Sequence, residues 1–463
     1  MLATTAVSAP VIEAIRARIP GLRLLTDEID RESHRNDETP FLHGGLPGAV
    51  ALPTETAQVA ELVRICAEYG VPIVPRGAGT GLSGGAVGIE GGLTIAFTAM
   101  DRILEIDEAN LVAVVQPGII NARLKAAVAE HGLFYPPDPA SYEMCSIGGN
   151  LGTNAGGLCC VKYGQTRDWV LGLEVVMADG RVVRLGGKNV KDVAGYALTQ
   201  LIVGSQGTLA IVTEATLRLR PLPPPRATML AFFASLDAAG DAVAGIGPAG
   251  LTPVTLELMD AFTIAAVNDA YGLGLPTGAA AMLMIESDLP GAGAAAEIDA
   301  AESVCRTAGA IETVRAADAQ EADWLRQARR GAYQALERIG LVRMEDVGVP
   351  RGRVPELLRA IEASATRLGV RCGTFGHAGD GNLHPNLVFE RDDPTAEATT
   401  EAFKDEIYRA AIALGGTVTA EHGIGLARRD YLELQRGPEA VAIMRAIKAA
   451  LDPQGILNPG RVL

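Results

Sequence analysis

"PRGAGTGLSGGAVGIEGGLTIAF", residues 75–97, decides the fold. Gly79, Gly81 and Gly84 make a formal G-x-G-x-x-G, the fingerprint of a Rossmann dinucleotide turn. That turn needs a strand before it, a helix after it and an acid about 20 residues on. "VPIVP" (71–75) supplies the strand, and Asp101 stands near the required distance. The helix is missing: glycines continue to Gly92 and give way to the strand-like "GLTIAF" (92–97). A Rossmann site is therefore rejected. Successive glycines still let backbone N–H groups converge on an anion, and Arg76 adds charge. An ordinary surface loop with a solvated arginine is the equal alternative.

Working outward, residues 56–69, "TAQVAELVRICAEY", carry apolar positions at helical spacing. "ILEIDEANLVAVVQPG" (103–118) reads as a strand hairpin, and 121–132 as helix. From 135 to 164 Pro, Gly, Asn and Ser dominate without periodicity. Such a long, weakly charged loop is functional rather than disordered. "LGLEVVMADGRVVRL" (171–185) is a hairpin turning at Asp179-Gly180. "GSQGTLAIVTEATLRL" (204–219) is a third glycine turn entering a strand.

"PLPPPR" (221–226) marks a domain boundary, because clustered prolines suit neither a helix nor a central strand. Beyond it strand-like and helix-like segments alternate, with long helices near 292–308 and 319–338. That alternation predicts an antiparallel sheet with helices on one face. The last 40 residues predict a glycine-bounded strand, a helix over 438–450 and the tail "LDPQGILNPGRVL".

At 463 residues the chain is too long for one core. Net charge of −15 without a Lys/Arg run speaks against a nucleic-acid partner. None of the six cysteines forms C-x-x-C, so zinc ribbons and iron–sulfur clusters are not expected, and the thiols read as reduced. No signal peptide or membrane span is predicted; a cytoplasmic protein, or one peripheral to a membrane, is expected.

"GHAGDGNLHPN" (376–386) holds His377 and His384. Gly379 and Gly381 oppose a helix, and one continuous strand would put the two on opposite faces. A turn at Asp380-Gly381 brings them together. In "LHPNLVFE", His384 and Asn386 share a face, while Pro385 predicts an edge or a bulge. "TAEHGIG" (419–425) adds Glu421 and His422 where an apolar strand is expected to end. His, His and Glu suit a divalent metal with an open position. His422 remains as a base, with an ordinary pKa near ~6.5. Structural histidines are the alternative, since spacing alone does not show that the segments meet.

The three glycine loops in this order, with "GHAGDGNLHPN", "EHGIG" and "LDPQGILNPGRVL", resemble the FAD-binding PCMH-type (vanillyl-alcohol-oxidase) superfamily. From about residue 40 to the end the chain is similar to its D-2-hydroxyacid dehydrogenase branch. That branch includes the glycolate oxidase flavin subunit, FAD-linked D-lactate dehydrogenase and D-2-hydroxyglutarate dehydrogenase. The resemblance implies an α+β fold: a two-part PCMH-type FAD-binding domain over 1–222, with its core from about 40; a ferredoxin-like antiparallel-sheet substrate (cap) domain over 223–415; and a C-terminal segment, 416–463, that returns to the flavin domain and completes the active site.

It implies that Pro75, Arg76, Gly77, Ala78, Gly79, Thr80, Gly81 and Leu82 wrap the FAD pyrophosphate. Pro137, Asp138, Ser141, Ser146, Gly148, Gly149, Asn150, Thr153, Asn154, Gly156 and Gly157 would line the ribityl chain and isoalloxazine. Gly207, Ile211 and Val212 would hold the adenine side, and Asn458 would join from the tail. Thr80 stands in the loop where covalent members often carry a histidine, which implies noncovalent FAD. His377, His384 and Glu421 would hold zinc or manganese, His422 would be the base, Asn386 would touch substrate, and Arg329, in "RQARRGAYQAL" (326–336), would bind its carboxylate, with Arg330 as the neighbour open to confusion.

Two departures stand out: Gln206 replaces the usual Glu of S-E-G-T-L-G, and Ala197 replaces the Asp of G-Y-D-L. Met344 stands near the position where D-2-hydroxyglutarate enzymes place a lysine. The implied activity is oxidation of a D-2-hydroxy acid such as D-lactate or glycolate, with electrons leaving to a quinone, a partner subunit or a carrier protein. A flavin subunit inactive alone, a D-2-hydroxyglutarate dehydrogenase and, remotely, a metallohydrolase are the alternatives; a homodimer stays open.

Overall fold

A computed structural model describes residues 6–40 and 42–463. Contacts divide the chain into two units. The first takes the chain up to Gly156, Gln165–Leu222 and Glu421–Leu463; the second takes Gly157–Gly164 and Pro223–Ala420. Grouping by contact thus interrupts the 1–222 segment at 157–164 and ends the second unit at Ala420 rather than 415.

The first unit carries two main sheets. Arg23–Leu25, Ala49–Leu52, Leu93–Ala96 and Ile73–Arg76 lie side by side in that order, the last three parallel. Ala49–Leu52 and Leu93–Ala96 are buried throughout, as apolar parallel strands must be. The Thr56–Tyr69 helix buries Val59, Leu62, Val63 and Cys66, and Gly70 ends it in the left-handed conformation. The chain passes from Ile73–Arg76 to its neighbour Leu93–Ala96 through the glycine loop, with no helix between them. This is why the Rossmann fingerprint misleads. The second sheet is antiparallel, ordered Ile103–Asp107, Val112–Val115, Ile211–Arg218, Val170–Val176, Val182–Gly186.

The stretch read as irregular over 135–164 holds a short helix, Ile147–Thr153. Ser146 Oγ caps it by accepting from Gly149 N, and Asn154 closes it at φ 56°. Its glycines carry no apolar period, so sequence pattern could not reveal it.

The second unit is built on an eight-stranded sheet. Its first four strands, Ala227–Phe233, Thr255–Asp260, Ala281–Ser287 and Ala310–Arg315, stand in the spatial order fourth, first, third, second and are antiparallel, the ferredoxin-like arrangement. Arg371–His377, Asn382–Phe389 and Leu341–Met344 extend it beyond Thr255–Asp260.

Helices cover both faces, which corrects the one-face expectation. Ala261–Tyr271 and Ala332–Ile339 pack with Phe232, Met259, Met282, Met284 and Phe375. The alternate residues Ala231, Phe233, Leu258, Leu283 and Ile285 are fully buried as well, on the side of Leu236–Ile246 and Gly293–Thr307. The helix expected over 319–338 is two, Ala319–Arg330 and Ala332–Ile339, broken at Gly331.

Two further expectations fail. Among the described residues, 415–425 forms no strand, only an isolated bridge between Gly348 and Thr417, and the last 40 residues hold helices but no strand. Asn382–Phe389 is an interior strand, paired on both sides. Pro385 is accommodated where one neighbour breaks, between Met344 and Val347.

Candidate active site

In the second unit the site residues share one face of the sheet. Register pairs Met259 with Phe375, Phe375 with His384, His377 with Asn382 and Gly373 with Asn386. Alternation then puts Glu257, Phe375, His377, His384 and Asn386 on the same side. Gly381 makes the turn, at φ 85°, and a Cβ there would lie 1.9 Å from the Val349 carbonyl oxygen. His377 and His384 meet diagonally across the hairpin, rings 5.3 Å apart and nearly perpendicular.

Glu257 organises this face. One carboxylate oxygen lies 2.7 Å from His377 Nδ1, and the other accepts from Arg329 Nε at 2.7 Å. Burial works to raise the Glu257 carboxyl, but the charges and hydrogen bonds of His377 and Arg329 hold it below the ordinary carboxylate range. A His377 Nδ1–H donated to Glu257 is the pairing that orients metal-ligating histidines. His384 Nδ1 lies 3.9 Å from Asp346 Oδ1. Asp346 is itself held by Asn382 Nδ2, Thr419 Oγ1 and the Ala420 N–H.

Arg329 lies in the last turn of the Ala319–Arg330 helix, is 6% exposed, and lays its guanidinium 4.6 Å from the Phe375 ring centroid. Its Nε is committed to Glu257, and its Nη nitrogens have no protein partner among the described residues. Asn386 is fully buried, and its Nδ2 donates to the carbonyls of Gly373 and His384.

Glu421 and His422 follow Ala420 directly and group with the first unit, where Glu421 Oε1 stands 4.0 Å from His422 Nε2.

Also in the first unit, the glycine loop is shaped for an anion. Gly79 sits at φ 83°, and a Cβ there would lie 2.2 Å from Arg76 Nη2. Arg76 is buried rather than solvated and donates to the Ala86 carbonyl. Ser146 Oγ accepts from both Ala78 N and Gly149 N, joining the first loop to the second. The N–H groups of Gly79, Thr80, Gly81 and Leu82 have no acceptor among the described residues. Such a run of unused donors fits a diphosphate.

Several expected cofactor contacts spend their side chains inside the protein. Asn150 bonds Asn121 and Cys145; Asn154 bonds Gln165 and the Arg167 N–H. Asn458 donates to the carbonyls of Gly85 and Gln206. Pro137 accepts through its carbonyl from Asn121 Nδ2, and Gly148 N donates to the Pro117 carbonyl. Thr153 Oγ1 donates to the Gly149 carbonyl, and the Ser141 carbonyl accepts from Met144 N and Cys145 N. Ile211 and Val212 begin a strand paired with Val176 and Val175, and Gly207 lies against Pro75. Gly157 belongs to the segment grouped with the second unit.

Sequence reading missed Glu257 and Asp346. The signal for Glu257 was an acid in the middle of the apolar run "VTLELM" (254–259).

Residues 222–462 match the family of FAD linked oxidases, C-terminal domain, and residues 47–186 match an FAD binding domain. The chain is 46% identical over 428 residues to the glycolate oxidase subunit GlcD of Bacillus subtilis, covering 92% of this chain and 91% of that protein. It is 35% identical over 438 residues to a D-lactate dehydrogenase of Archaeoglobus fulgidus, covering 93% and 96%. Among solved structures, p-cresol methylhydroxylase superposes with a TM-score of 0.81 at 18% identity, over 98% of this chain and 96% of that one, a likeness of fold.

Proposed function

This chain belongs to the FAD-linked oxidases, and on that premise we propose that it oxidises a D-2-hydroxy acid, D-lactate, glycolate or a close relative, to the 2-oxo acid. Noncovalently bound FAD supplies the acceptor for the Cα hydride. His377, His384 and Glu421 would hold a divalent ion, zinc or manganese, which would supply positive charge to acidify the hydroxyl.

The chain's own residues do the rest. Arg329 takes the substrate carboxylate on its Nη edge, since its Nε is already on Glu257. Glu257 fixes the tautomer of His377 and the aim of Arg329 together. Asn386, through its bond to the His384 carbonyl, keeps His384 in place. His422 removes the hydroxyl proton as the Cα hydride leaves. The 75–82 loop receives the cofactor diphosphate on backbone N–H groups.

The observation that carries this reading is the chain Arg329–Glu257–His377 beside His384. It puts an arginine and two histidines, groups suited to a carboxylate and to a cation, on one sheet face. Membership of a flavin oxidoreductase family sets the metallohydrolase alternative aside. A second reading, a flavin subunit that passes electrons to partner subunits, is favoured by the similarity to a glycolate oxidase subunit of Bacillus subtilis. Activity of the isolated chain with an acceptor dye separates the two.

The direct test of the metal is chelation of the holoprotein. Flavin reduction by substrate is expected to be lost, with FAD retained, and to return with added zinc or manganese. Unchanged reduction after exhaustive chelation would rule out a role for the metal.

A further inference from the structure

The strand break opposite Pro385 sets a buried acid against the histidine hairpin. Register pairs Met344 with Asn386 and Val347 with Leu383, so Asp346 falls directly across from His384. Residues directly opposite in an antiparallel pair share a face. Asp346 is fully buried, and its Oδ1 stands 3.9 Å from His384 Nδ1. The same Oδ1 accepts from Asn382 Nδ2 at 2.6 Å, and Asn382 is the cross-strand partner of His377.

The other oxygen serves a different segment. Asp346 Oδ2 accepts from Thr419 Oγ1 at 2.6 Å and from Ala420 N at 3.0 Å. Glu421 and His422 are the next two residues of the chain. Gly348 and Thr417 exchange two backbone bonds alongside, 3.0 and 2.7 Å long. The approach is close: a Cβ on Gly348 would lie 3.1 Å from Thr417 Cγ2 and 3.2 Å from Ala420 Cβ. Residues 346–348 thus run between the hairpin and the 417–420 segment, and Asp346 gives one oxygen to each.

We propose that Asp346 is a positioning residue for the metal ligands: it fixes the hairpin that carries His377 and His384, and the point at which the chain leaves Ala420 for Glu421 and His422. It need not touch the ion. The donors on its two sides explain why a carboxylate stands here. Asn382 Nδ2 and the Ala420 N–H both find an acceptor on it, and an amide has one oxygen to offer. A buried donor deprived of its acceptor is costly, so this position separates Asp from its isostere Asn. The inference rests on the reading of His377, His384 and Glu421 as a metal set, and its test lets the two fail separately.

The test is equilibrium binding of zinc, and separately of manganese, to the chelated, flavin-loaded full-length protein, in the wild type, Asp346→Asn and Thr419→Val. Metal content after dialysis against buffered metal gives the dissociation constant without turnover. Asp346→Asn is expected to weaken metal binding ~10- to 100-fold, with FAD content unchanged. Flavin reduction by substrate is expected to return once metal is raised above the new dissociation constant. Thr419→Val, which removes one bond on the 417–420 side alone, is expected to weaken binding in the same direction and by less. Wild-type metal affinity in Asp346→Asn would overturn the positioning role and leave the metal reading standing. If Asp346→Asn does not fold, Thr419→Val decides by the same constant, and an unchanged value overturns the proposal. A wild-type protein that binds neither ion would overturn the metal reading, and the role of Asp346 with it.

Discussion

At the residue scale, the site depends on who holds whom. Glu257 serves His377 and Arg329 with separate oxygens, so its removal should cost stability as well as chemistry. Glu257→Ala leaves the buried Arg329 guanidinium unpaired, a loss of about 3–5 kcal/mol for a broken buried pair; denaturant unfolding is the check. His422→Asn is expected to keep FAD and to slow flavin reduction by substrate by at least ~100-fold, the scale of a lost general base. Stopped-flow traces unchanged from wild type would remove His422 from that role. The histidines were legible in sequence because an odd spacing around Asp-Gly can converge only through a turn. Glu257 was not, because its partner His377 lies 120 residues away and only strand pairing brings them abreast.

At the element scale, the Ala319–Arg330 helix is pinned to the sheet by two arginines three residues apart. Arg326 reaches Glu286 at 2.9 Å and Arg329 reaches Glu257 at 2.7 Å, acids on adjacent strands. The helix therefore delivers Arg329 to the site by ion pairing rather than by apolar burial, and its pattern alone could not say which arginine faces inward.

The opposite end of the Thr255–Asp260 strand carries a pH signature. Burial raises the Asp260 carboxyl to about 6 from an ordinary 3.8, and the nearby Glu362 adds to the rise, against hydrogen bonds from Thr263 and Thr374. In that window the folded protein keeps a proton that the unfolded chain releases. This contribution is therefore fully present below about 4 and is lost as pH rises toward 6, amounting to roughly 2–3 kcal/mol. Unfolding midpoints of wild type and Asp260→Asn across this range should diverge by that slope; parallel profiles would refute it.

At the scale of the whole molecule, the glycine-loop order identified the flavin family although each motif alone was weak. The α+β architecture and the ferredoxin-like sheet followed from it. What sequence could not give was the grouping of Gly157–Gly164 with the second unit, where Lys162 and Tyr163 both bond Asp288. That choice is made by a buried acid more than 120 residues away. Among the described residues no helix is long and apolar enough to cross a membrane.

The proposed reaction moves a hydride from a D-2-hydroxy acid into the flavin of this chain. The most direct measurement is anaerobic mixing of the holoprotein with D-lactate, L-lactate and glycolate, following the flavin absorbance. Bleaching by D-lactate or glycolate, and none by L-lactate, is expected. An oxidised flavin throughout, or equal bleaching by both lactate enantiomers, would contradict it.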